Sequence, residues 1–299
     1  MRLNKFLIAC VFSTALLMSC DKDDDPGFEP IPERDRTEQE IEDQEALKAY
    51  LETHFYNYED FENPAESFDY TIRIDTINEA NSDKMPLIQS DLLETKIVTR
   101  NEVDYTVYIL KVREGAKDQP KFTDSTFVSY RGELLDRSMF DNSVTPIWFD
   151  LTRTIPGFGQ AMTEFKGASG FEILSDNTIK WENDYGIGAV FMPSGLGYFA
   201  TSQTTIPSYS PLVFTFHLYG VNEADHDGDG IPSWMEDLDG DEVIGNDDTD
   251  ADNLPNYIDT DDDGDFIPTR EEIIINEDGS ITFPDTNSDG TPDYLDPKN

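Results

Sequence analysis

Apolar residues recur at helical spacing in one early stretch of the chain. Residues 40–58 read EIEDQEALKAYLETHFYNY, and this pattern predicts an amphipathic helix with His54 at the edge of its apolar face. The positions expected on that face are Ile41, Leu47, Leu51 and Phe55, with Tyr50 nearby.

The middle of the chain instead alternates apolar and polar positions and is rich in β-branched and aromatic residues, a pattern typical of strands. The predicted strands are FDYTIRIDTI, VDYTVYILKV, STFVSYRGELL, PIWFDL, GAVFMP and SPLVFTFHLYGV. One short helix, GFGQAMTEF, interrupts them after TIPG. A mostly antiparallel sheet with one short helix is an α+β architecture.

The first residues have the pattern of a targeting segment. Arg2 and Lys5 precede the short apolar run FLIACVFSTALLM, which is too short for a membrane span and fits a secretory signal. LMSC then resembles the bacterial lipobox, which implies that Cys20 is lipidated and anchors the chain to a membrane. The alternative is a plain signal peptide with an incidental cysteine. Cys10 leaves with the signal, so disulfides, cysteine catalysis and thiolate metal sites are excluded.

The residues after Cys20 read CDKDDDPG and resemble the acidic export signal of Bacteroidetes lipoproteins. A solvated tether is the simpler interpretation, and both can hold. We therefore expect a lipoprotein of the bacterial outer membrane, facing the periplasm or exposed at the cell surface.

Composition and pattern together predict five regions. They are a signal peptide (1–19), an acidic tether (20–40), an N-terminal helix and strand extension (41–105), a folded domain (106–221) and an aspartate-rich tail (222–299).

Charge is concentrated near the end of the chain. The 299 residues include 63 acidic and 21 basic ones, a formal net charge of −42. Residues 221–299 hold 26 acidic residues against only Arg270 and Lys298. This balance excludes nucleic acid as a partner, because phosphate binding requires a basic surface. Such a segment stays disordered through self-repulsion or gathers cations.

Three segments of the 106–221 region resemble, in order, motifs of the FKBP-type peptidyl-prolyl isomerases. They are FVSYRGELLDRSMFDNS, IPGFGQAM and PSGLGYFATSQTTIPSYSPLVFTF. The resemblance implies an FKBP-like sheet curled around a short helix, and a proline-binding aromatic pocket. The implied roles are Tyr130, Phe140 and Phe214 as walls, Phe158 as floor with Ile155 beside it, Asp141 as a buried carboxylate at the edge, Tyr198 directing its hydroxyl at the substrate carbonyl, and Ile206 offering its backbone N–H.

The activity that the resemblance implies is cis–trans isomerisation of X–Pro bonds in exported or surface polypeptides, with no catalytic cofactor. The barrier is amide resonance, about 18–20 kcal/mol. A dry aromatic slot favours the twisted, less polar amide over the planar one. The sequence departs from the family at Phe158, where tryptophan is usual, at Thr154, where valine is usual, and at an insertion within 166–188. A pocket phenylalanine of the family falls near Ile147 or Trp148. The alternative is a non-catalytic binding, adhesion or chaperone protein that retains the fold.

The acidic tail repeats one pattern of oxygen donors four times. Acidic or amide residues stand at positions one, three, five and twelve, a turn-forming residue is expected at position six, and proline stands at position eight. Calcium takes six to eight oxygen ligands, and a tight loop presents alternate side chains inward. Each loop resembles the calcium loop of EF-hands without flanking helices, and the series resembles the type 3 repeats of thrombospondins.

The predicted structural calcium ligands fall into five sets. They are Asp225, Asp227, Asp229 and Glu236; Asp248, Asp250, Asp252 and Asp259; Asp261, Asp263, Asp265 and Glu272; Asp285, Asn287, Asp289 and Asp296; and a partial set of Asp237, Asp239 and Asp241 that shares Asp248. Phe266 occupies the sixth position of the third set, which leaves open a shifted register beginning at Asp259 and placing Gly264 at the turn. Without metal we expect the tail to be unfolded.

Overall fold

A six-stranded antiparallel sheet organises the computed structural model, which describes residues 32–298. Its strand order is β3-β4-β9-β10-β5-β6. The predicted mixture of a large antiparallel sheet with few helices is confirmed. The strands are β1 (His54–Tyr56), β2 (Ile74–Thr76), β3 (Leu93–Arg100), β4 (Val103–Arg113), β5 (Ser125–Leu134), β6 (Met139–Asp150), β7 (Phe171–Ile173), β8 (Ile179–Trp181), β9 (Gly186–Met192), β10 (Leu212–Asn222), β11 (Ile274–Ile275) and β12 (Ile281–Thr282).

Four α-helices and six short 3₁₀ turns complete the described part of the chain. The α-helices are α1 (Arg36–Thr53), α2 (Tyr58–Glu62), α3 (Pro156–Met162) and α4 (Thr269–Glu272). The 3₁₀ turns are Leu87–Gln89, Leu151–Arg153, Ser194–Leu196, Ser233–Glu236, Asn256–Ile258 and Asp293–Leu295. None of the helices in residues 32–298 is both long enough and apolar enough to cross a bilayer.

Helix α1 begins at Arg36, inside the predicted tether, because the Asp35 side chain accepts the N–H groups of the first turn. Its second half buries Leu47 and Leu51 against the sheet, as predicted. In the first half the prediction is wrong, since Ile41 is 58% exposed. The face that packs there is polar: the N–H and hydroxyl of Ser194 both donate to Asp43, at 2.7 and 2.6 Å.

Two predicted boundaries differ from the structure. The sheet already begins with β3, which the sequence did not reveal, so a boundary at 106 falls inside β4. The segment FDYTIRIDTI contributes only the short β2, which pairs with β1 outside the main sheet. The insertion within 166–188 forms the β7–β8 hairpin.

Each face of the sheet carries its own apolar core. One face packs against α3 and includes Phe158, Phe214 and Leu196. The other face packs against α1 and includes Leu51 and Phe191. A third, smaller cluster lies within the tail around Ile231, Ile273 and Tyr294.

The tail contacts the sheet domain at the loop that follows Asp237. The Arg100 guanidinium donates to the carbonyl oxygens of Asp241 and Glu242, at 3.1 and 2.5 Å. From α3, the Gln160 amide donates to the Glu242 carboxylate at 2.5 Å, and Ile244 is buried beside it. The tail is therefore attached directly to the helix beneath the sheet.

Candidate functional site

A cavity of about 850 Å³ opens between α3, strands β5, β6 and β10, and the loop that runs from Tyr198 to Ile206. All eight residues to which the family resemblance assigns pocket roles line this one cavity. They are Tyr130, Phe140, Asp141, Ile155, Phe158, Tyr198, Ile206 and Phe214.

Phe158 reaches the floor of the cavity because it is the third residue of α3, which begins at Pro156. Ile155 is extended at the N-cap, and Pro156 supplies a first helical residue with a preset backbone angle. The Phe158 side chain is buried, and its ring lies 5.3 Å from that of Phe214 and 6.3 Å from that of Tyr130, edge to face in both cases. A tightly packed aromatic floor thus replaces the larger tryptophan usual in the family.

Gly132 on β5 makes room for two of the walls. A Cβ at this position would lie 2.5 Å from the Phe140 ring and 2.9 Å from the Phe214 ring. Those two rings pack edge to face at 5.4 Å. The absence of a side chain at Gly132 therefore sets how closely the walls approach the strand.

Asp141 is exposed at the cavity rim, so the expectation of a buried carboxylate is wrong. The reason is that β6 lies at the edge of the sheet and pairs only with β5, so its other side is open to solvent. The Tyr130 hydroxyl donates to Asp141 at 2.6 Å. Burial and this hydrogen bond both raise the pKa of Tyr130, which keeps the phenol protonated.

Ile206 and Tyr198 present the polar groups that the resemblance assigned to substrate binding. The Ile206 carbonyl accepts the Gln203 N–H at 2.8 Å, closing a tight turn. Within residues 32–298 the Ile206 N–H has no hydrogen-bond acceptor, although the residue is buried. An N–H group of this kind is available to a bound carbonyl.

Phe149 is a wall that the sequence did not identify. Its ring lies 5.2 Å from Tyr130 and 5.7 Å from Phe158, while Trp148 also lines the cavity and Ile147 does not. The pairing of β5 with β6 shifts register between Val128 and Tyr130, so counting along the strand from Phe140 cannot locate this residue.

In the tail, five loops share one backbone conformation: 225–236, 237–248, 248–259, 261–272 and 285–296. In each, the first carboxylate accepts the N–H of the sixth residue at 3.0–3.1 Å. The fourth and sixth residues have positive φ throughout. The partial set is thus as regular in its turn as the other four.

The third set keeps its original register, because the Phe266 N–H donates to Asp261 and Phe266 has a φ of 75°. The alternative that begins at Asp259 is not adopted. The Phe266 side chain is 93% exposed, so it does not pack against the rest of the loop and does not obstruct the turn.

The ninth residue of four loops fastens the turn. Thr269 Oγ1 accepts the Asp262 N–H at 3.1 Å, and Ser233 Oγ accepts the His226 N–H at 3.2 Å. Asn256 and Asp293 make the same contact in their loops. The prolines cap the short helical turns that follow them and lead to position twelve.

Carboxylates converge to within 4.8 Å of one another in four groups, which could bind metal ions. Among the described residues, the predicted ligands outside these groups are Asp225, Asp259, Glu272, Asp285, Asn287, Asp289 and Asp296. In the last loop the Asn287 amide donates to Asp296 at 2.7 Å instead. Asp248 groups with Asp250 and Asp252 of its own loop, as predicted, and is not part of the Asp237, Asp239 and Asp241 group. The groups are Asp227, Asp229, Glu236 and Asp262; Asp237, Asp239 and Asp241; Asp248, Asp250 and Asp252; and Asp261, Asp263 and Asp265.

Asp262 was not predicted as a ligand, since it stands at an even position of its loop. Burial, followed by neighbouring carboxylates, raises the pKa of Glu236 to about 10 and that of Asp262 to about 8. A nearby positive charge or donated hydrogen bonds stabilise the charged form of such carboxyl groups.

The cavity and its framework define an FKBP-type domain in the middle of the chain. The prediction from the three motifs is confirmed by curated relatives named FKBP-type peptidyl-prolyl cis-trans isomerase FkpA. The Aeromonas hydrophila protein is 32% identical over 122 residues, which cover 40% of this chain and 38% of the relative. The Escherichia coli K12 protein is 29% identical over 116 residues, covering 38% of this chain and 37% of the relative.

The chain thus spans less than two fifths of the length of these relatives. A solved peptidyl-prolyl isomerase of Pseudomonas syringae aligns over 45% of this chain and 84% of its own length, with 20% identity and a TM-score of 0.34. In the tail, residues 226–284 match the family model described as BamM C-terminal.

Proposed function

We propose that the chain is a peptidyl-prolyl cis-trans isomerase acting on X–Pro bonds of exported or surface polypeptides. The observation that carries this proposal is the convergence of eight family-matched residues on one aromatic cavity. Proline fits an apolar slot walled by Phe140 and Phe214, and its ring contacts the Phe158 floor.

The site acts on the amide without a nucleophile. Rotation out of the amide plane removes resonance and reduces the carbonyl dipole, so a low-dielectric slot stabilises the twisted state relative to the planar one. The Ile206 N–H and the Tyr198 hydroxyl hold the carbonyl oxygen. The Tyr130–Asp141 hydrogen bond fixes one wall at the rim.

A coupled isomerisation assay on a proline peptide tests this activity. The protein should comprise residues 34–299, because a fragment starting at 106 cuts β4. Tyr198→Phe should lower kcat/KM, whereas Tyr257→Phe, outside the cavity, should not. Peptide binding without turnover in the unmodified protein would instead identify a non-catalytic proline-binding domain.

We further propose that the tail binds several calcium ions and that these ions order it. Four of the five loops present clustered carboxylate oxygens. Hard cations such as calcium prefer oxygen ligands, whereas zinc prefers nitrogen and sulfur. Millimolar external calcium suits such sites. Circular dichroism of residues 34–299 should change when chelator removes calcium and recover when calcium is restored. An unchanged spectrum would reject calcium-dependent order.

We also propose a lipid anchor at Cys20 that holds the protein in the bacterial outer membrane, with the polypeptide facing the periplasm or the cell exterior. This cysteine lies outside the described residues. Cys20→Ser should abolish incorporation of labelled palmitate, and protease treatment of intact cells should distinguish the two faces. Incorporation that persists in the variant would exclude Cys20 as the modified residue.

A further inference from the structure

We propose that one cation is held jointly by two loops that are not neighbours in the chain. Three of its ligands belong to the 225–236 loop, and the fourth is Asp262 of the 261–272 loop. This inference rests on the proposed calcium binding. We call this shared site the clasp, because its ion joins the 225–236 loop to the 261–272 loop. The four carboxylates are Asp227, Asp229, Glu236 and Asp262, with one oxygen of each within 4.8 Å of the others.

Burial shows that this group is more than a cluster of surface acids. Glu236 is 0% exposed and Asp262 is 2% exposed. Within residues 32–298, neither oxygen of either carboxylate has a hydrogen-bond partner. Four unpaired buried oxygens are costly unless an ion coordinates them.

The position of Asp262 explains how it reaches the other loop. Its N–H is fixed by Thr269 within the 261–272 loop, whose own cluster consists of Asp261, Asp263 and Asp265. Alternate residues of such a loop point inward, so the second residue points away from it. The other four loops have histidine, leucine or threonine at this position, and only the 261–272 loop has a carboxylate there.

Within residues 32–298 no basic side chain forms an ion pair with these four carboxylates, although Arg270 lies near the group. All the donors are carboxylate oxygens, which select a hard divalent ion.

The ion would close a large loop in the chain. Residues 237–260 lie between the joined loops, and the apolar cluster beside the site is small, centred on Ile231, Ile273 and Tyr294. A cation bridging Glu236 and Asp262 therefore supplies cross-linking that hydrophobic burial does not.

Calcium counting on residues 34–299 by equilibrium dialysis, with a double-mutant cycle, tests the clasp. Asp262→Asn should bind one ion fewer than the unmodified chain, and so should Glu236→Gln. The double variant should lose no further ion, because both residues serve one site. Asp262→Asn with Asp263→Asn should lose two ions, because they serve different sites.

Thermal unfolding gives a second readout that a purely structural role would not produce. Asp262→Asn should lower the melting temperature of the tail in calcium, because one site is lost, and should leave the unfolding curve unchanged in chelator, where the site holds no ion. Glu271→Gln, an exposed change of equal charge in the same loop, should leave the melting temperature unchanged in calcium.

The outcomes separate the clasp from calcium binding itself. If the unmodified chain binds no calcium, the calcium proposal fails. If it binds calcium but Asp262→Asn keeps every ion at unchanged affinity, or the Asp262–Glu236 double variant loses two ions, the clasp alone is overturned.

Discussion

Gly132→Ala should impair the proline cavity while adding only one methyl group. The new Cβ would lie 2.5 and 2.7 Å from two atoms of the Phe140 ring and 2.9 Å from the Phe214 ring. Ordinary contact distances are 3.4–4 Å, so both rings must retreat. Overpacking of this kind costs about 1–3 kcal/mol.

If most of that free energy is lost from the stabilisation of the transition state by the cavity walls, kcat/KM should drop roughly tenfold, since 1.36 kcal/mol corresponds to a factor of ten. The melting temperature should fall as well. Gly170→Ala is the matched control, because a Cβ there has no neighbour within 4 Å. Both variants should be compared in the coupled isomerisation assay and by thermal unfolding.

A companion substitution separates crowding from other effects. Phe140→Leu frees space beside Gly132, so adding it should reduce the stability loss caused by Gly132→Ala. A folded Gly132→Ala protein with unaltered kcat/KM and melting temperature would refute the role of Gly132 in spacing the walls.

Three further predictions concern charge and backbone. Calcium binding at pH 7 should release protons. The raised pKa values of Glu236, about 10, and Asp262, about 8, leave both carboxyl groups protonated without an ion. Calorimetric binding heats that do not depend on the ionisation enthalpy of the buffer would contradict this. Burial raises the pKa of Glu40 from 4.5 to about 7, so the free energy of unfolding should decline as pH rises through that window. Urea unfolding at pH 5 and 8 should show a smaller decline in Glu40→Gln. An equal decline in the two proteins would count against this. Phe266→Gly should stabilise the calcium-loaded tail by roughly 1 kcal/mol, because Phe266 has a positive φ, which glycine adopts without the steric cost of a Cβ. A lower melting temperature in the variant would contradict this.

Motif order in the sequence was enough to locate the cavity. The three motifs carry short-range information, and the segment from Ile155 to Phe158 forms its turn and helix from local rules alone. Phe149 escaped detection because a bulge changes the count of residues along β6. The exposure of Asp141 depends on β6 lying at the sheet edge, which the strand pattern does not encode.

In the tail, too, local features could be predicted from the sequence and contacts between distant residues could not. Spacing along the chain predicts the turn of each loop, because the carboxylate at position one meets an N–H only five residues later. It does not predict Asp262, whose role arises from the packing of distant loops. Similarly, the polar face of α1 around Asp43 is explained only by its contact with Ser194.

The attachment of the 237–248 loop to α3 has a practical consequence for enzymology. Gln160 binds Glu242 from the same short helix that carries Phe158, two residues earlier. Glu242 in turn immediately follows the Asp237, Asp239 and Asp241 cluster. If that cluster binds calcium as proposed, the ion acts next to the residue that contacts α3, and free divalent ion concentration should then be fixed as carefully as temperature in assays of prolyl turnover.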